Sequence, residues 1–282
     1  MTDLVCRKIR DLPLSALSGL VFQDGVFYVI ADDQLSLGYF TLTGEFHISP
    51  LLPGDLPLEP RMRKSQKPDW ECLIWIPQGL LIIPSGSKLN RCRTVLFEAA
   101  SLSEQKATVL SFEKLYAEIR QRVLDLNIEG SVLRGTQILL FQRGNGAGKQ
   151  NAVIVCDLAL ALKDDPRAVT SVVHYDLGQL HGSNLGFTDA WAGDDGEIYF
   201  LAVAESGGST FEDGHYLGAI IGIISANGEI ILKTEIQCPA KPEGLWVEKS
   251  ADGASIFIVT DADDSAKMSA LYQLNLSVKL IS

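Results

Sequence analysis

The sequence has no apolar run near the roughly 18 residues that a membrane-spanning helix requires, and charged residues stand where a secretory signal would have its apolar stretch. We therefore expect a cytoplasmic protein with no membrane partner. Basic residues are also few, 24 Lys and Arg against 35 Asp and Glu, so the formal net charge is −11. Because a surface this acidic repels phosphate, we expect no nucleic-acid partner.

Cysteine is rare as well, with five residues that are widely spread and never occur as Cys-x-x-Cys. This pattern indicates neither a disulfide framework nor a zinc site, and it predicts reduced, mostly buried thiols. Only 21% of residues are charged while 25 Gly and 11 Pro interrupt the chain, which excludes a coiled coil and a disordered chain. The hydrophobic fraction of 46% is enough for a core, and we expect one domain over residues 1–282.

An internal repeat organises the chain. Five segments share one pattern: a small or acidic residue, a short apolar strand, a turn, a second apolar strand and then polar residues. The segments start at Ser18, Glu71, Glu129, Asp189 and Glu243, and these starts lie 53 to 60 residues apart. A repeat of about 55 residues is typical of a four-stranded propeller blade. The sequence therefore predicts an all-β fold, a five-bladed β-propeller; six blades, with one of them degenerate, is the alternative.

Two further features complete the predicted fold. The last blade has a short tail, and the apolar run at residues 4–9 can pair beside it as its outer strand, so that the chain termini close the ring. Residues 112–124 instead have apolar side chains at helical spacing, which predicts a surface helix before the third blade.

The polar positions of the repeat all fall at one mouth of the central channel. The start of each inner strand and the end of the second strand emerge there, because the two strands are antiparallel. Carboxylates that converge on one axis repel one another, so a positive group must compensate them. We expect Ca²⁺, with Mg²⁺ or Mn²⁺ as alternatives; protonated carboxyls, or pairing with Lys88, Arg91, Arg93 and Arg143, would also satisfy the charge. The predicted metal ligands are Glu71, Glu129, Asp189, Glu243 and Asp261.

The same mouth is predicted to bind a small polar or anionic ligand. The candidate substrate-binding residues are Ser85, Ser87, Arg93, Arg143 and Glu205. The candidate catalytic residues are Glu129 and Asp189 with His181 and His215, since a histidine near a ring of carboxylates can act as a general base. The alternatives are that the acids accept backbone hydrogen bonds from neighbouring blades and that the histidines are ordinary loop residues. Residues 144–149 lack the spacing of a phosphate loop, and the sequence has no Gly-x-Ser-x-Gly nucleophile elbow.

The repeat motifs resemble those of an uncharacterised family of bacterial β-propeller proteins over nearly the whole chain. The motifs that carry the resemblance are at residues 18–19 with 32–33, 69–71 with 85–91, 127–130 with 142–144, 186–189 with 204–205, and 241–244 with 260–264. The Glu-Gly strand starts are more loosely similar to those of phytase-like propellers and calcium-dependent lactonase propellers. That similarity implies a metal-dependent hydrolase of a phosphoester, a lactone or a similar ester. The alternative is a non-catalytic propeller that binds a small polar ligand or a peptide; the sequence predicts no particular oligomeric state.

Overall fold

The computed structural model describes residues 4–32, 34–51, 67–98, 107–146, 148, 150–206, 214–262 and 267–277. These residues form five antiparallel blades around a ring, which confirms the predicted five-bladed β-propeller. The first blade contains β3 (Leu17–Gln23), β4 (Val26–Ala31), β5 (Ser36–Phe40) and β6 (Phe46–Pro50). The second blade contains β7 (Trp70–Ile76), β8 (Gly79–Pro84), β9 (Arg93–Phe97) and β10 (Ala107–Ser111). The third blade contains β11 (Ile128–Arg134), β12 (Gln137–Gln142), β13 (Asn151–Asp157) and β14 (Val169–Tyr175).

The last two blades are tied together by the start of the chain. The fourth blade contains β16 (Ser183–Ala192), β17 (Ile198–Ser206), β18 (His215–Ile224) and β19 (Ile230–Gln237), with β15 (Gln179–Leu180) added beside β16. The fifth blade contains β20 (Lys241–Ser250), β21 (Gly253–Asp261) and β22 (Ser269–Ser277), with β2 (Arg7–Leu12) as its outer strand. This confirms closure by the termini. The strand β1 (Leu4–Val5) adds a contact that the sequence did not predict, because it pairs in parallel with β19 of the fourth blade.

Helices are short and lie outside the ring. The predicted insertion forms α1 (Glu113–Ile119), and its Leu115, Tyr116 and Ile119 are buried against the second and third blades. A second helix, α2 (Leu158–Ala161), and a 3₁₀ turn at Pro166–Ala168 connect β13 to β14. None of the helices in the part of the chain that the structure describes could span a membrane.

The apolar side chains form five clusters, and each cluster lies mainly between two adjacent blades. Successive side chains of a strand point to opposite faces of its sheet, and in these blades both faces carry apolar side chains. Each face therefore packs against a neighbouring blade. The inner strands contact one another in the order β3, β7, β11, β16, β20 and back to β3. The ring is therefore held by packing between blades and encloses a narrow axial channel.

Every inner strand carries one β-bulge, at the equivalent position of each repeat. The bulged residues are Ser18, Glu71, Glu129, Thr188 and Glu243. In the fourth blade the repeat position is therefore Thr188. The prediction that this segment starts at Asp189 was wrong by one residue. A bulge turns the extra side chain away from the regular pleat. Ser18, Glu71, Glu129 and Glu243 line one end of the channel, whereas the Thr188 hydroxyl donates to the carbonyl of Pro242 in the fifth blade.

The residue that follows each bulge lies against the next blade. A Cβ added at Gly130 would be 3.0 Å from the Cα of Asp189, and one added at Gly19 would be 3.1 Å from the Cβ of Leu73. Glycine is needed at these two points because the inner strands approach too closely for a side chain. This close approach brings the bulged residues of adjacent blades near one another.

Candidate active site at the polar mouth of the channel

The bulges and the ends of the second strands surround a small polar cavity of about 50 Å³ at one mouth of the channel. It is lined by residues of four blades, with acids and bases interleaved. The polar lining residues are Ser18, Asp32, Lys67, Asp69, Glu71, Arg91, Asn127, Glu129, Arg143, Asn145, Lys241, Glu243 and Asp261. We call this region the polar mouth.

Arg143 is the centre of the first charge network in the polar mouth. Its side chain is only 4% exposed, and it directly follows β12. One nitrogen, Nη1, lies 3.3 Å from Oε2 of Glu129 and 4.0 Å from Oε1 of Glu243. The other, Nη2, lies 2.6 Å from Oε2 of Glu205. Lys241 completes the network, with its Nζ 3.0 Å from Glu243 and 3.4 Å from Glu205. Two buried cations thus face three buried carboxylates.

Glu129 is held in place by amide side chains. Asn127 Nδ2 donates to Oε1 of Glu129 over 2.5 Å. The backbone of Asn127 is itself fixed, because its N–H donates to Oε1 of Gln142 at 2.8 Å. The Gln142 amide in turn donates to the carbonyls of Asp125 and Arg143. Since every one of these groups is buried or partly buried, the Glu129 carboxyl has a defined orientation.

Asp69 is the centre of a second network, built by the first and second blades. Arg91 Nη1 donates to Oδ2 of Asp69 at 2.5 Å, and the hydroxyls of Ser85 and Ser87 donate to the same oxygen. Lys67 Nζ lies 3.2 Å from the other oxygen, Oδ1. Arg91 also bonds Ser87 Oγ at 2.6 Å, so the two predicted serines orient the arginine and the aspartate.

The acids Asp32, Asp69 and Glu71 form a triad whose ligand atoms lie within 4.8 Å of one another. Carboxylate oxygens are the donors that hard divalent cations prefer, so the triad has the right chemistry for such an ion. Lys67, however, forms ion pairs with both Asp32 and Asp69, so its ammonium supplies the compensating charge in this arrangement. A cation that binds all three acids must displace Lys67.

Burial sets the protonation of the glutamates in the polar mouth. It raises the pKa of Glu129 to about 7, although Arg143 and Lys241 act in the opposite direction. It raises the pKa of Glu243 to about 8, again against the effect of Lys241 and Arg143. The pKa of Glu71 lies well above its ordinary value, because of burial and then the neighbouring Glu129. Glu129 and Glu243 therefore exchange protons near neutral pH, where general acid–base groups are most effective.

These raised pKa values predict an unusual dependence of stability on pH. An unfolded glutamate has a pKa near 4.5, so between about pH 4.5 and pH 8 the folded protein holds protons that the unfolded chain has released. The contribution of these groups to the free energy of unfolding is therefore largest below pH 4.5 and is lost as the pH rises to about 8. Urea unfolding at several pH values should show a weaker decline over this window for Glu129→Gln than for the wild type.

The matched control for this experiment is Glu118→Gln. Glu118 is an acid on α1 that pairs with Arg122 and does not line the polar mouth. The free energy of unfolding of Glu118→Gln should decline with pH as steeply as that of the wild type. An equal decline in wild type and Glu129→Gln would contradict the raised pKa of Glu129.

The structure brings most of the predicted site residues together. Glu71, Glu129, Arg143, Glu243 and Asp261 all line the polar mouth. Glu205 joins them through Arg143 and Lys241, and Ser85 and Ser87 join through Asp69.

Asp189 does not line the polar mouth. Its Oδ1 accepts the N–H of Ala190 at 2.8 Å, and its Oδ2 accepts the N–H of Leu245 in the fifth blade at 2.7 Å. Burial raises the pKa of this carboxyl well above its ordinary value. Asp189 thus corresponds to the alternative in which an acid receives backbone hydrogen bonds from the neighbouring blade.

Three other predicted residues also lie elsewhere. The carbonyl of Arg93 accepts the indole N–H of Trp70, and it is Arg91 that reaches the polar mouth. The His181 side chain is 53% exposed, with its Nε2 2.9 Å from Glu235 on the outer strand β19. His215 is exposed at the start of β18. Neither histidine lines the polar mouth or the cleft described below.

Sequence reasoning missed Lys67, Asp69, Asn127 and Lys241 as functional candidates. A repeat signal could have found three of them, because Asp69, Asn127 and Lys241 each precede a bulged glutamate by two residues. In the fourth blade the equivalent residue is Gly186, where an added Cβ would be 2.9 Å from Cγ of Arg143. Because glycine has no side chain, position 186 leaves space for Arg143 to reach the polar mouth.

A wider cleft of about 230 Å³ opens beside Arg143, between the third and fourth blades. It shares Arg143 and Asn145 with the polar mouth, and Glu205 lies at the boundary. Its other walls are mostly small or polar residues, namely Gly144, Gln179, Gly182, Ser183, Asn184, Gly186 and Val203. The cleft has room for a small polar molecule whose charged group contacts Arg143.

Comparisons with solved structures agree with the fold. A thermostable family-43 glycoside hydrolase is 7% identical, with a TM-score of 0.51 over 96% of this chain and 92% of that one. The glutaminyl cyclase of Myxococcus xanthus is 13% identical, with a TM-score of 0.50 over 98% and 99% of the two chains. A gluconolactonase of Xanthomonas campestris is 11% identical, with a TM-score of 0.44 over 95% and 88%. At these identities the similarity to the first two structures shows the fold alone.

Sequence comparison gives the family. No curated protein matches this chain. The model of one family matches residues 13–276, which is nearly the whole propeller. The chain therefore belongs to DUF6929, a family of unknown function.

Proposed function

We propose that the polar mouth is the active site of a hydrolase that acts on a small anionic ester, such as a phosphoester or a lactone with a carboxylate. The observation that supports this most directly is the pair of buried carboxyls, Glu129 and Glu243, which both lie within 4.0 Å of the same Arg143 nitrogen. Their pKa values of about 7 and about 8 suit one proton acceptor and one proton donor at neutral pH.

The charged side chains of the polar mouth have separate roles in such a reaction. Arg143 and Lys241 hold the anionic group of the substrate, with the rest of the molecule in the cleft beside Arg143. Glu129, the more acidic of the two carboxyls, accepts a proton from the water that attacks the ester. Glu243 donates its proton to the oxygen that leaves. Both groups return to their starting state when a proton passes between them through solvent.

We include a divalent cation in the proposal, Ca²⁺ first and Mg²⁺ or Mn²⁺ as alternatives. Asp32, Asp69 and Glu71 are the residues that would hold it, and when bound it would polarise an oxygen of the substrate. Because Lys67 competes for the same carboxylates, Lys67→Met should bind the ion more tightly than the wild type.

Thermal unfolding with each cation tests this part of the proposal. A rise in Tm with millimolar Ca²⁺ that is larger in Lys67→Met than in wild type would support it. No shift in either protein with Ca²⁺, Mg²⁺ or Mn²⁺ would remove the cofactor and leave the carboxyl pair as the catalytic groups.

The catalytic proposal is tested by screening phosphoesters, lactones and carboxyl esters for turnover, with added cation and with chelator. On a responsive substrate Glu129→Gln should lower kcat by roughly 10²–10⁴-fold, because the amide cannot accept the proton. Glu118→Gln, the surface control on α1, should retain full activity. Full turnover by Glu129→Gln would show that this carboxyl does not take part.

A second candidate is a binding protein without catalysis. The small volume at the centre of the polar mouth, about 50 Å³ against about 230 Å³ in the adjoining cleft, favours a ligand that lies in the cleft and only contacts Arg143. In that case no ester is turned over, while a small anion raises the Tm of the wild type but not of Arg143→Met. Hydrolysis that depends on Glu129 would exclude it.

A further inference from the structure

The opposite end of the channel holds a second and larger cavity, of about 660 Å³. Residues that follow the bulges by two to four positions line it in all five blades, and among the described residues none lines both this cavity and the polar mouth. Its volume lies within the roughly 300–1,000 Å³ typical of small-molecule sites. We call it the aromatic mouth.

The walls of the aromatic mouth carry four half-buried aromatic side chains, Phe22, Trp75, Trp191 and Trp246. The rings of Trp191 and Trp246 meet edge to face with centroids 5.5 Å apart, and Phe22 lies 5.7 Å from Trp246. The sequence has four tryptophans, and three of them line this one cavity. Such rings offer electron-rich faces to a ligand on the axis.

The rim of the aromatic mouth is negative. Asp194 and Asp195 line it together with Lys249. The lysine is already engaged, since its Nζ lies 2.5 Å from Asp195 and 2.7 Å from Glu197. Aromatic faces below a negative rim are complementary to an organic cation, which gains both cation–π and Coulomb attraction. We propose that the aromatic mouth binds a small apolar cation of the quaternary ammonium class.

Tryptophan fluorescence tests this proposal directly. Titration with benzyltrimethylammonium should quench the emission to saturation, and it should require about tenfold less ligand than neutral benzyl alcohol. Trp246→Leu should weaken binding of both probes. Asp194→Asn should weaken the cation alone. Tyr39→Leu, which removes an aromatic ring that stacks on His47 away from the cavity, should leave both titrations unchanged.

Equal affinity for the neutral and the charged probe, or quenching that never saturates, would overturn the assignment. The result is independent of the proposed hydrolase, because Glu129→Gln changes the polar mouth and should bind the cation as the wild type does. A variant that fails to fold is recognised by its lost thermal transition, and the comparison of the two probes on the wild type still decides the question.

A different observation, at the join between the fourth and fifth blades, supports a second inference. The parallel pairing of β1 with β19 sets Leu4 opposite Ile236 and Val5 opposite Gln237. The next pair in this register is Cys6 and Cys238, and the N–H of Cys6 donates to the carbonyl of Gln237 at 3.0 Å. Both thiols are buried, at 7% and 8% exposure, and a hydrogen bond joins them. This bond lowers the pKa of Cys238 and raises that of Cys6.

We infer that Cys6 and Cys238 form a disulfide when the protein meets hydrogen peroxide. The Cys238 thiolate attacks one peroxide oxygen, the O–O bond breaks, and a sulfenic acid and hydroxide result. The Cys6 sulfur then attacks the sulfenic sulfur, the S–S bond forms, and water leaves with the Cys6 proton. The peroxide accepts two electrons. The new bond ties the segment between β1 and β2 to the fourth blade, where it closes a very long loop of the chain.

Mass spectrometry after mild peroxide treatment tests this inference. The wild type should lose two hydrogens, yield a peptide that links Cys6 to Cys238, and gain at least about 5 °C in Tm. Cys238→Ser should show neither change, whereas Cys92→Ser, at a buried thiol beside the second blade, should behave as the wild type. Five free thiols after treatment, or sulfinic acid at Cys238 without a link, would overturn it.

Discussion

Arg143→Met should lower the free energy of unfolding by about 3–5 kcal/mol at pH 8, measured by urea denaturation. Removing one partner of a buried ion pair leaves the other charge without compensation, and this is among the most destabilising single changes known. Arg143 faces three carboxylates at once, those of Glu129, Glu205 and Glu243, and all of them are nearly excluded from solvent. Methionine keeps most of the volume of the side chain, so the loss reports the charge.

The loss in the free energy of unfolding caused by Arg143→Met should be smaller at pH 5 than at pH 8. At that pH Glu129 and Glu243 are protonated in the folded wild type, because their pKa values are about 7 and about 8, so less negative charge is left unpaired. The control is Arg167→Met, because the Arg167 guanidinium is 81% exposed and pairs with Asp165 at the surface, so its loss should change the free energy of unfolding little. A similarly small loss for Arg143→Met at pH 8 would show that this network does not hold the mouth together.

The second large effect is expected at Asp189, where Asp189→Ala should cost about 2–4 kcal/mol. The alanine leaves two buried backbone N–H groups, those of Ala190 and Leu245, without an acceptor, and each such donor costs about 1–3 kcal/mol. Because the Leu245 bond crosses from the fourth blade to the fifth, the loss weakens the ring itself. Urea denaturation with Asp176→Ala as the control measures this, since the Asp176 side chain accepts the N–H of Gly178 in an exposed turn.

The same variant separates a structural role from a catalytic one. If Asp189 acts only in blade packing, the folded fraction of Asp189→Ala keeps the affinity of the wild type for a ligand of the polar mouth. A loss of affinity or turnover beyond the loss of folded protein would place Asp189 in the chemistry after all.

The repeat could be recognised in the sequence because each blade needs the same pair of apolar strands, and alternating apolar residues record that need locally. The residue at a single repeat position was harder to predict. Thr188 and Asp189 are neighbouring polar residues, and only the bulge decides which of them occupies the repeat position. A shift of one residue exchanges the two faces of a strand, and no local pattern reports a bulge of this kind.

The partners of the acids were harder still to predict. Glu129 meets Arg143 fourteen residues further on, which the hairpin of β11 and β12 explains, but Lys241 meets Glu205 from another blade. His181 and His215 were placed near the site by their position in loops, yet the structure turns both to the outside. Loop directions depend on the packing of the whole ring, so the neighbouring sequence does not contain them.

The sequence by itself determined the number of blades, the place of the helix and the collection of acids at one end of the channel. These features follow from periodic apolar burial, which is written along the chain. The tertiary structure decided how the charges are paired, because Arg143 and Lys241 each also reach a glutamate of another blade, and the burial that raises the pKa values of Glu129 and Glu243 exists only when the ring is closed. It also decided that three tryptophans share one cavity and that Cys6 lies opposite Cys238, since both depend on strand register across blades.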